Sequence, residues 1–419
     1  MRATGRMPAP AHRHALRRLL SGVAVLLLCC LLGWTPRAHA GIASAPGANL
    51  EVSLVTYGPG ETYWERFGHD AIELRDSVSG EEVTFNYGVF DFDESGFLLH
   101  FAAGRMHYMM DAAPSEVDQQ YYASVGRSVT RQRLAFTPSQ AADLRDFLLW
   151  NLRPENVRYP YDYYINNCAT RVRDALDKAL GGTLKRQLEA RAGGMTYRQQ
   201  TARLMSNEAW LMLILDLGLG PYADQPLNAW QESFLPMVLQ SESSHVQVSD
   251  GMGGTRPLVQ AEQLLSPNRL VPPPDRAPDL RLPLALAGLV FAVLLVLSAR
   301  TAPTVHALLA SLYLVLAGLV GLALLVLWTL TTHHSAWANA NLLLFNPLAF
   351  VLLRAVWRAR RGVAPSRLAQ VVMTIQLLSA LLAIGLHLLP GIVQQNQPWL
   401  LFALPCWLAL AWTSRKPSK

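Results

Sequence analysis

The sequence predicts an α+β domain carried outside the cytoplasmic membrane and followed by an α-helical transmembrane bundle. Three observations lead there. The chain opens on a basic, then apolar, then small-residue segment of the export-signal type. Between residues 50 and 217, strand-like alternation gives way to helical spacing. The last third holds five apolar stretches and no carboxylate after Asp279.

The export signal is expected over residues 1–40. Arg2, Arg6, Arg13, Arg17 and Arg18 precede an apolar run from Leu19 to Leu32, and Ala38-His39-Ala40 supplies a cleavage site after Ala40. Arg17-Arg18 lacks the residues of a twin-arginine signal, and Leu28 before Cys29 is too large for a lipoprotein site.

The exported domain is expected over residues 41–271. Its first part reads as strands at Leu50 to Tyr57, Gly68 to Leu74 and Val83 to Phe92, separated by Gly- and Pro-containing turns. Helical patterns follow at Ser139 to Leu152, behind Thr137-Pro138, at Ala169 to Leu180 before Gly181-Gly182, and at Glu208 to Leu217 before Gly218. Trp210, Met212 and Leu213 read as core. Residues 272–281, with Pro272-Pro273-Pro274, form a stiff linker.

The membrane domain is expected over residues 282–413, with stretches at Leu282 to Ala299, Val305 to Leu330, Leu342 to Val356, Val371 to Leu389 and Trp399 to Trp412. Beyond Arg281 the nine basic residues are Arg300, Arg354, Arg358, Arg360, Arg361, Arg367, Arg415, Lys416 and Lys419. Five crossings from an exported domain put all of them at cytoplasmic ends, including the basic tail 414–419. Excluding that half and the signal leaves 21 basic residues against 30 carboxylates in the exported domain. Such a surface disfavours nucleic acid despite the basic overall charge. An integral membrane protein fits better.

Cys168 is the only cysteine of the exported domain. In an oxidising compartment an unpaired thiol is either buried and inert or put to use, and both readings stand on the residues alone. It follows Asn166-Asn167 and precedes Val172, Leu176 and Leu180 at helical spacing, which predicts a place in the first turn of a helix. There the free backbone N–H groups favour a thiolate. The histidines of the domain are His69, His100, His107 and His245. His69, after Gly68 on an alternating strand, has the rigid setting a general base needs. No metal-ligand spacing such as HExxH occurs, and no motif requires a cofactor.

Five segments make the sequence resemble the bacterial family typified by the extracytoplasmic domain of the lipoprotein N-acyltransferase Lnb: Phe67-Gly68-His69, Phe85 to Phe92, Tyr159 to Asp162 leading into Asn167-Cys168-Ala169-Thr170-Arg171, Thr196-Tyr197-Arg198, and Phe234-Leu235-Pro236. The likeness spans residues 50 to 270. That family is similar in turn to the circularly permuted papain-like fold of lecithin retinol acyltransferase and NlpC-type thiol enzymes, where a strand histidine precedes a helix-start cysteine. The resemblance implies that His69 and Cys168 meet as catalytic dyad. Asn86 on the next strand is the candidate to orient the imidazole, ahead of Asp70, which faces the opposite way.

The resemblance and the membrane half together lead to an expected chemistry of acyl transfer on a membrane lipid or lipoprotein substrate, through a Cys168 thioester with His69 as base. Arg66, Asn167, Thr170, Arg171, His333 and Asn341 are the candidate substrate contacts; the last two lie in His333-His334-Ser335-Ala336-Trp337-Ala338-Asn339-Ala340-Asn341, on the same side of the membrane as Cys168. Asn346, inside an apolar run, requires a polar partner. A cell-envelope hydrolase with the same dyad and a non-enzymatic scaffold are the alternatives.

Overall fold

The computed structural model describes residues 40–90, 96–391 and 394–414. The export signal ahead of Ala40, the Asp91-Phe92 end of the third expected strand, and the tail beyond Ser414 lie outside the described residues.

The exported domain is built on a seven-stranded antiparallel sheet of order β6-β4-β3-β2-β1-β5-β9. Its strands are β1 (Leu50–Tyr57), β2 (His69–Asp76), β3 (Glu82–Val89), β4 (His107–Pro114), β5 (Val129–Leu134), β6 (Arg158–Pro160) and β9 (Val259–Ser266); β7 (Gln247–Ser249) and β8 (Thr255–Pro257) pair apart. Helices α1 (Ala40–Ser44), α2 (Phe97–Ala103), α3 (Ser115–Ser124), α4 (Pro138–Asn151), α5 (Cys168–Ala179), α6 (Thr183–Glu189), α7 (Tyr197–Leu204), α8 (Ala209–Gly218), α9 (Ala229–Glu232) and α10 (Pro236–Ser243) surround it.

Strand alternation sorts the side chains. Val52, Leu54, Ile72, Leu74, Phe85 and Tyr87 turn to one face and bury against Leu144, Leu148, Val172 and Leu176 of α4 and α5. Val55, Tyr57 and Ala71 turn to the other face, where Tyr122 of α3 covers them. Register places Tyr57 opposite His69 and Ala71 opposite Asn86. His69 and Asn86 therefore share the α3 face, and Asp70 points towards α5. Local signals start the helices. Thr137 and Gln140 form a capping box ahead of Pro138, and Asn167 and Thr170 form another ahead of Cys168.

Residues 271–280 lead to α11 (Arg281–Thr301), followed by α12 (Pro303–Leu330), α13 (Ala349–Ala359), α14 (Arg367–Leu386) and α15 (Gln397–Ser414). Among the described residues, three helices, α11, α12 and α14, are long and apolar enough to cross a membrane. The other two expected spans differ. Leu342 to Val356 is divided: a 3-10 turn over Ala340–Leu343, then Asn346-Pro347, then the 11-residue α13. Pro347 has no amide to extend α13 back through Asn346, and the stretch is not one continuous helix. The last stretch forms the 18-residue α15 with Pro405 inside it. Asn346 finds its partner on α14: its Nδ2 donates to Gln376 Oε1 at 2.6 Å and its Oδ1 accepts from Gln376 Nε2 at 3.2 Å.

Polar bolts join the two halves. Asn339 Nδ2 donates to the carbonyls of Leu217, Gly218 and Leu219 at 2.9–3.1 Å. Buried Arg198 pairs with Asp224 at 2.7 Å and with Asp216 at 3.1 Å. The same two carboxylates accept from the start of α15: Asp216 from Trp399 Nε1 at 2.7 Å and Asp224 from the Gln395 amide at 3.0 Å. The expected core role of α8 is only partly right. Met212 is buried, whereas Leu213 packs on the membrane cluster and Trp210 stands 64% exposed.

Candidate active site

Cys168 is the first residue of α5, half-buried above Gly88. Gly88 has φ of 94°, and a Cβ there would lie 3.4 Å from the Cys168 Cβ and 4.0 Å from the Tyr159 hydroxyl. A side chain at this left-handed position would be strained and would press on the cysteine. The backbone N–H groups of Asp70, Ala169 and Cys168 itself act on the sulfur and favour its anionic form. The thiol thus sits beside the peptide that joins His69 to Asp70, at the open end of the β2–β3 pair.

His69 is held by a chain of contacts. Its Nε2 lies 3.0 Å from Asn86 Oδ1, and Asn86 Nδ2 donates to Asp118 Oδ2 at 2.6 Å. A carboxylate accepts only, so Asp118 sets which end of the Asn86 amide faces the ring. The amide oxygen then receives the proton on Nε2, which leaves Nδ1 as the basic nitrogen. Tyr57 and Tyr122 stack on the imidazole with centroids at 5.8 and 6.0 Å.

The electrostatics keep both groups neutral. Burial, reinforced by the Arg127 cation, lowers His69 to about 4, against the opposing effect of Asn86. Burial, then the Asp70 carboxylate, pushes the Cys168 thiol up to about 12, and the surrounding N–H groups offset this only in part. The expected thiolate is therefore corrected. The helix start is present, yet desolvation and a neighbouring acid outweigh it. Asp70 itself is fully buried and raised to about 7 by burial; one oxygen accepts from Thr56 Oγ1 at 2.6 Å and the other has no partner.

The expected substrate residues separate into two groups. Asn167 and Thr170 are taken up in capping α5, and Asn167 Nδ2 donates further to the carbonyls of Tyr163 and Phe234. Asn341 is fully buried, bonded to Leu217 O and to Asn396 Nδ2. These three hold the scaffold and present no free polar atom of their side chains other than those bonds. Arg66 and Arg171 each keep an unpartnered Nε. Arg171 lies over the Tyr159 ring at 4.2 Å and lines a cleft of about 370 Å³ with Tyr87, Phe147, Asp174 and Lys178. His333 reaches the domain: its Nε2 is 3.1 Å from Phe101 O, and it stacks on Tyr163. His100, His107 and His245 are all exposed, and His245 bonds only to Ser241 O.

Three neighbours carried no sequence signal. Asp118 is one acid among many until β4 and α3 bring it to Asn86. Arg127 is buried with Nε on Gly58 O at 2.6 Å and Nη2 unpartnered. The buried Tyr159 hydroxyl also lacks a partner and faces Cys168 across Gly88. The arrangement can activate a thiol during reaction and hold an anionic oxygen with N–H donors.

Residues 38–205 match the family model described as the Lnb N-terminal periplasmic domain, and residues 277–415 match that of the Lnb transmembrane domain. No curated protein and no solved structure matches the chain. With both halves matched in order over well over half of its length, the chain belongs to the Lnb family, as an inner-membrane protein whose N-terminal domain lies in the periplasm.

Proposed function

We propose that this protein is a membrane-anchored acyltransferase in which Cys168 is the nucleophile, His69 the base, and Asn86 and Asp118 the groups that position it. The observation that carries the reading is a helix-start thiol on which the backbone N–H groups of Asp70, Cys168 and Ala169 act, the first of them following directly on His69, whose Nε2 is already committed to Asn86. The order of a strand histidine before a helix-start cysteine is also that of permuted papain-like thiol enzymes. Family membership supports a lipid ester as donor and the amine of a lipoprotein as acceptor.

The chemistry is a two-step exchange. The Cys168 sulfur attacks the ester carbonyl as its proton passes to His69 Nδ1. The resulting oxyanion is held by the backbone N–H groups of Asp70, Cys168 and Ala169. Collapse breaks the C–O bond, and the alkoxide leaves as an alcohol with the proton from His69. An amine then attacks the thioester, gives its proton to His69, and forms an amide as the thiolate departs and takes that proton back. Arg127 lies close enough to act on both His69 and Cys168, and its charge favours the developing thiolate.

The test is mass spectrometry of the Cys168 peptide from protein purified out of its own membranes. A hydroxylamine-labile acyl group is expected on the native protein and none on Cys168→Ser, with slower formation in His69→Ala. A bare thiol under conditions of active turnover would overturn the proposal; release of free acid without transfer would make the protein a hydrolase.

A further inference from the structure

Helix α2 is out of place in water. None of its seven residues is buried, Leu98 and Leu99 are 79% and 73% exposed, and Phe101 is 40% exposed. Apolar exposure concentrated on two helical turns marks a surface that meets something apolar.

Its position identifies what that is. Thr332, two residues past the end of the membrane helix α12, donates its amide to Ala103 O at 2.9 Å and its hydroxyl to Gly104 O at 2.7 Å. Gly104 closes α2 with φ of 73°, and a Cβ there would fall 2.8 Å from Thr332 Oγ1, so only glycine allows this approach. The helix is thereby fixed at the level where α12 leaves the bilayer, and its leucines face the boundary between headgroups and acyl chains. Helix α8 lies at the same junction, with Trp210 and Ile214 exposed and Leu213 and Leu217 packed on the membrane cluster.

Behind α2 the rings continue inward. Phe97 stacks with Phe90 at 6.3 Å, Phe90 meets Tyr108 at 5.2 Å, and Tyr108 stacks on Tyr161 at 4.0 Å. Tyr161 and Cys168 pack against the same hydrophobic core. A row of aromatic faces thus runs from the bilayer surface to the thiol.

We propose that α2 dips into the outer leaflet and that the row Phe97, Phe90, Tyr108 and Tyr161 guides one acyl chain of a membrane glycerophospholipid to Cys168. The inference deepens the acyltransferase reading, on which it rests, by assigning the route that an acyl chain takes from the outer leaflet towards the thiol.

The experiment uses full-length Cys168→Ser protein in nanodiscs of phosphatidylethanolamine and phosphatidylglycerol, doped with a phospholipid bearing a diazirine in its sn-2 chain. Photolysis and peptide mapping should label α2, Tyr108 and Tyr161. In the Leu98→Asp/Leu99→Asp variant, labelling of Tyr108 and Tyr161 should fall about tenfold or more, with α11 and α14 labelled as before. Leu98→Phe/Leu99→Phe should keep the full pattern, which guards against misfolding as the cause. Labels confined to the transmembrane helices, or an unchanged pattern in the aspartate variant, would overturn the proposal. The serine protein cannot be acylated as a thioester, so this map is independent of the thiol chemistry. A labelled track with an unreactive Cys168 in the native protein would instead sink the acyltransferase reading alone.

Discussion

At the scale of single residues, burial leaves the Cys168 thiol and the His69 imidazole both neutral. A stable ion pair would alkylate readily in mild acid, whereas a thiol at about 12 beside a histidine at about 4 should not. Iodoacetamide modification of Cys168, followed by mass spectrometry, should therefore rise steadily with pH and show no plateau below about 9. Asp70→Asn removes the neighbouring carboxylate and should move that profile to lower pH, with Thr56 still bonded to the amide. The two buried groups also oppose each other in stability. His69, lowered from 6.5, favours the fold above its ordinary value, and that contribution is lost as pH falls towards 4. Asp70, raised from 3.8, favours the fold when protonated, and its contribution is lost as pH rises through 7. Between about pH 4 and 7 the two slopes offset each other, so thermal melts should vary little there in the native protein and rise with pH in Asp70→Asn. Asp118→Asn frees the Asn86 amide to turn over, so acylation should slow by roughly tenfold or more with a changed pH profile, the signature of a positioning residue.

At the scale of elements, α5 matters because its cap serves two purposes. Asn167 accepts the Thr170 amide, and it also anchors the Tyr163 and Phe234 carbonyls. Asn167→Ala should cost about 2–4 kcal/mol in thermal or denaturant unfolding, more than an ordinary cap, because two buried carbonyls lose their donor. The motif was legible in sequence as Asn-Cys-x-Thr, and the helix start at Cys168 followed from spacing alone. What the residues Asn167 and Thr170 do was not legible, since a polar residue beside a nucleophile looks the same whether it touches substrate or caps a helix. Strands β1 to β3 were equally readable from alternation, while β4, β5, β6 and β9 were not. β6 and β9 are the edges of the sheet, and all four pair with partners that no local pattern names.

At the scale of the whole molecule, buried polar contacts fix the exported domain to the membrane half. Arg198 joins Asp216 and Asp224, which in turn hold Trp399 and the Gln395 amide. Breaking a buried network by removing its cation leaves two uncompensated acids. Arg198→Met should lower stability by about 3–5 kcal/mol. Melting monitored separately in each half should then lose its single cooperative transition. Asn339→Ala, which removes three hydrogen bonds across the junction, should loosen the halves with the sheet left intact; hydrogen exchange at Leu217 to Gly220 would report it.

Composition and periodicity were enough to establish the division into an α+β domain and a membrane half, the helix-start cysteine and the strand histidine, because these depend on local propensity and on hydrophobic pattern. The neutral charge states of Cys168 and His69, the Asp118 and Arg127 contributions, the divided third stretch and the aromatic row behind α2 arose only on folding. Each depends on burial or on contacts between residues far apart in the chain, such as Asn86 with Asp118 and Gly104 with Thr332. Desolvation is a property of the assembled interior, and no linear spacing encodes it.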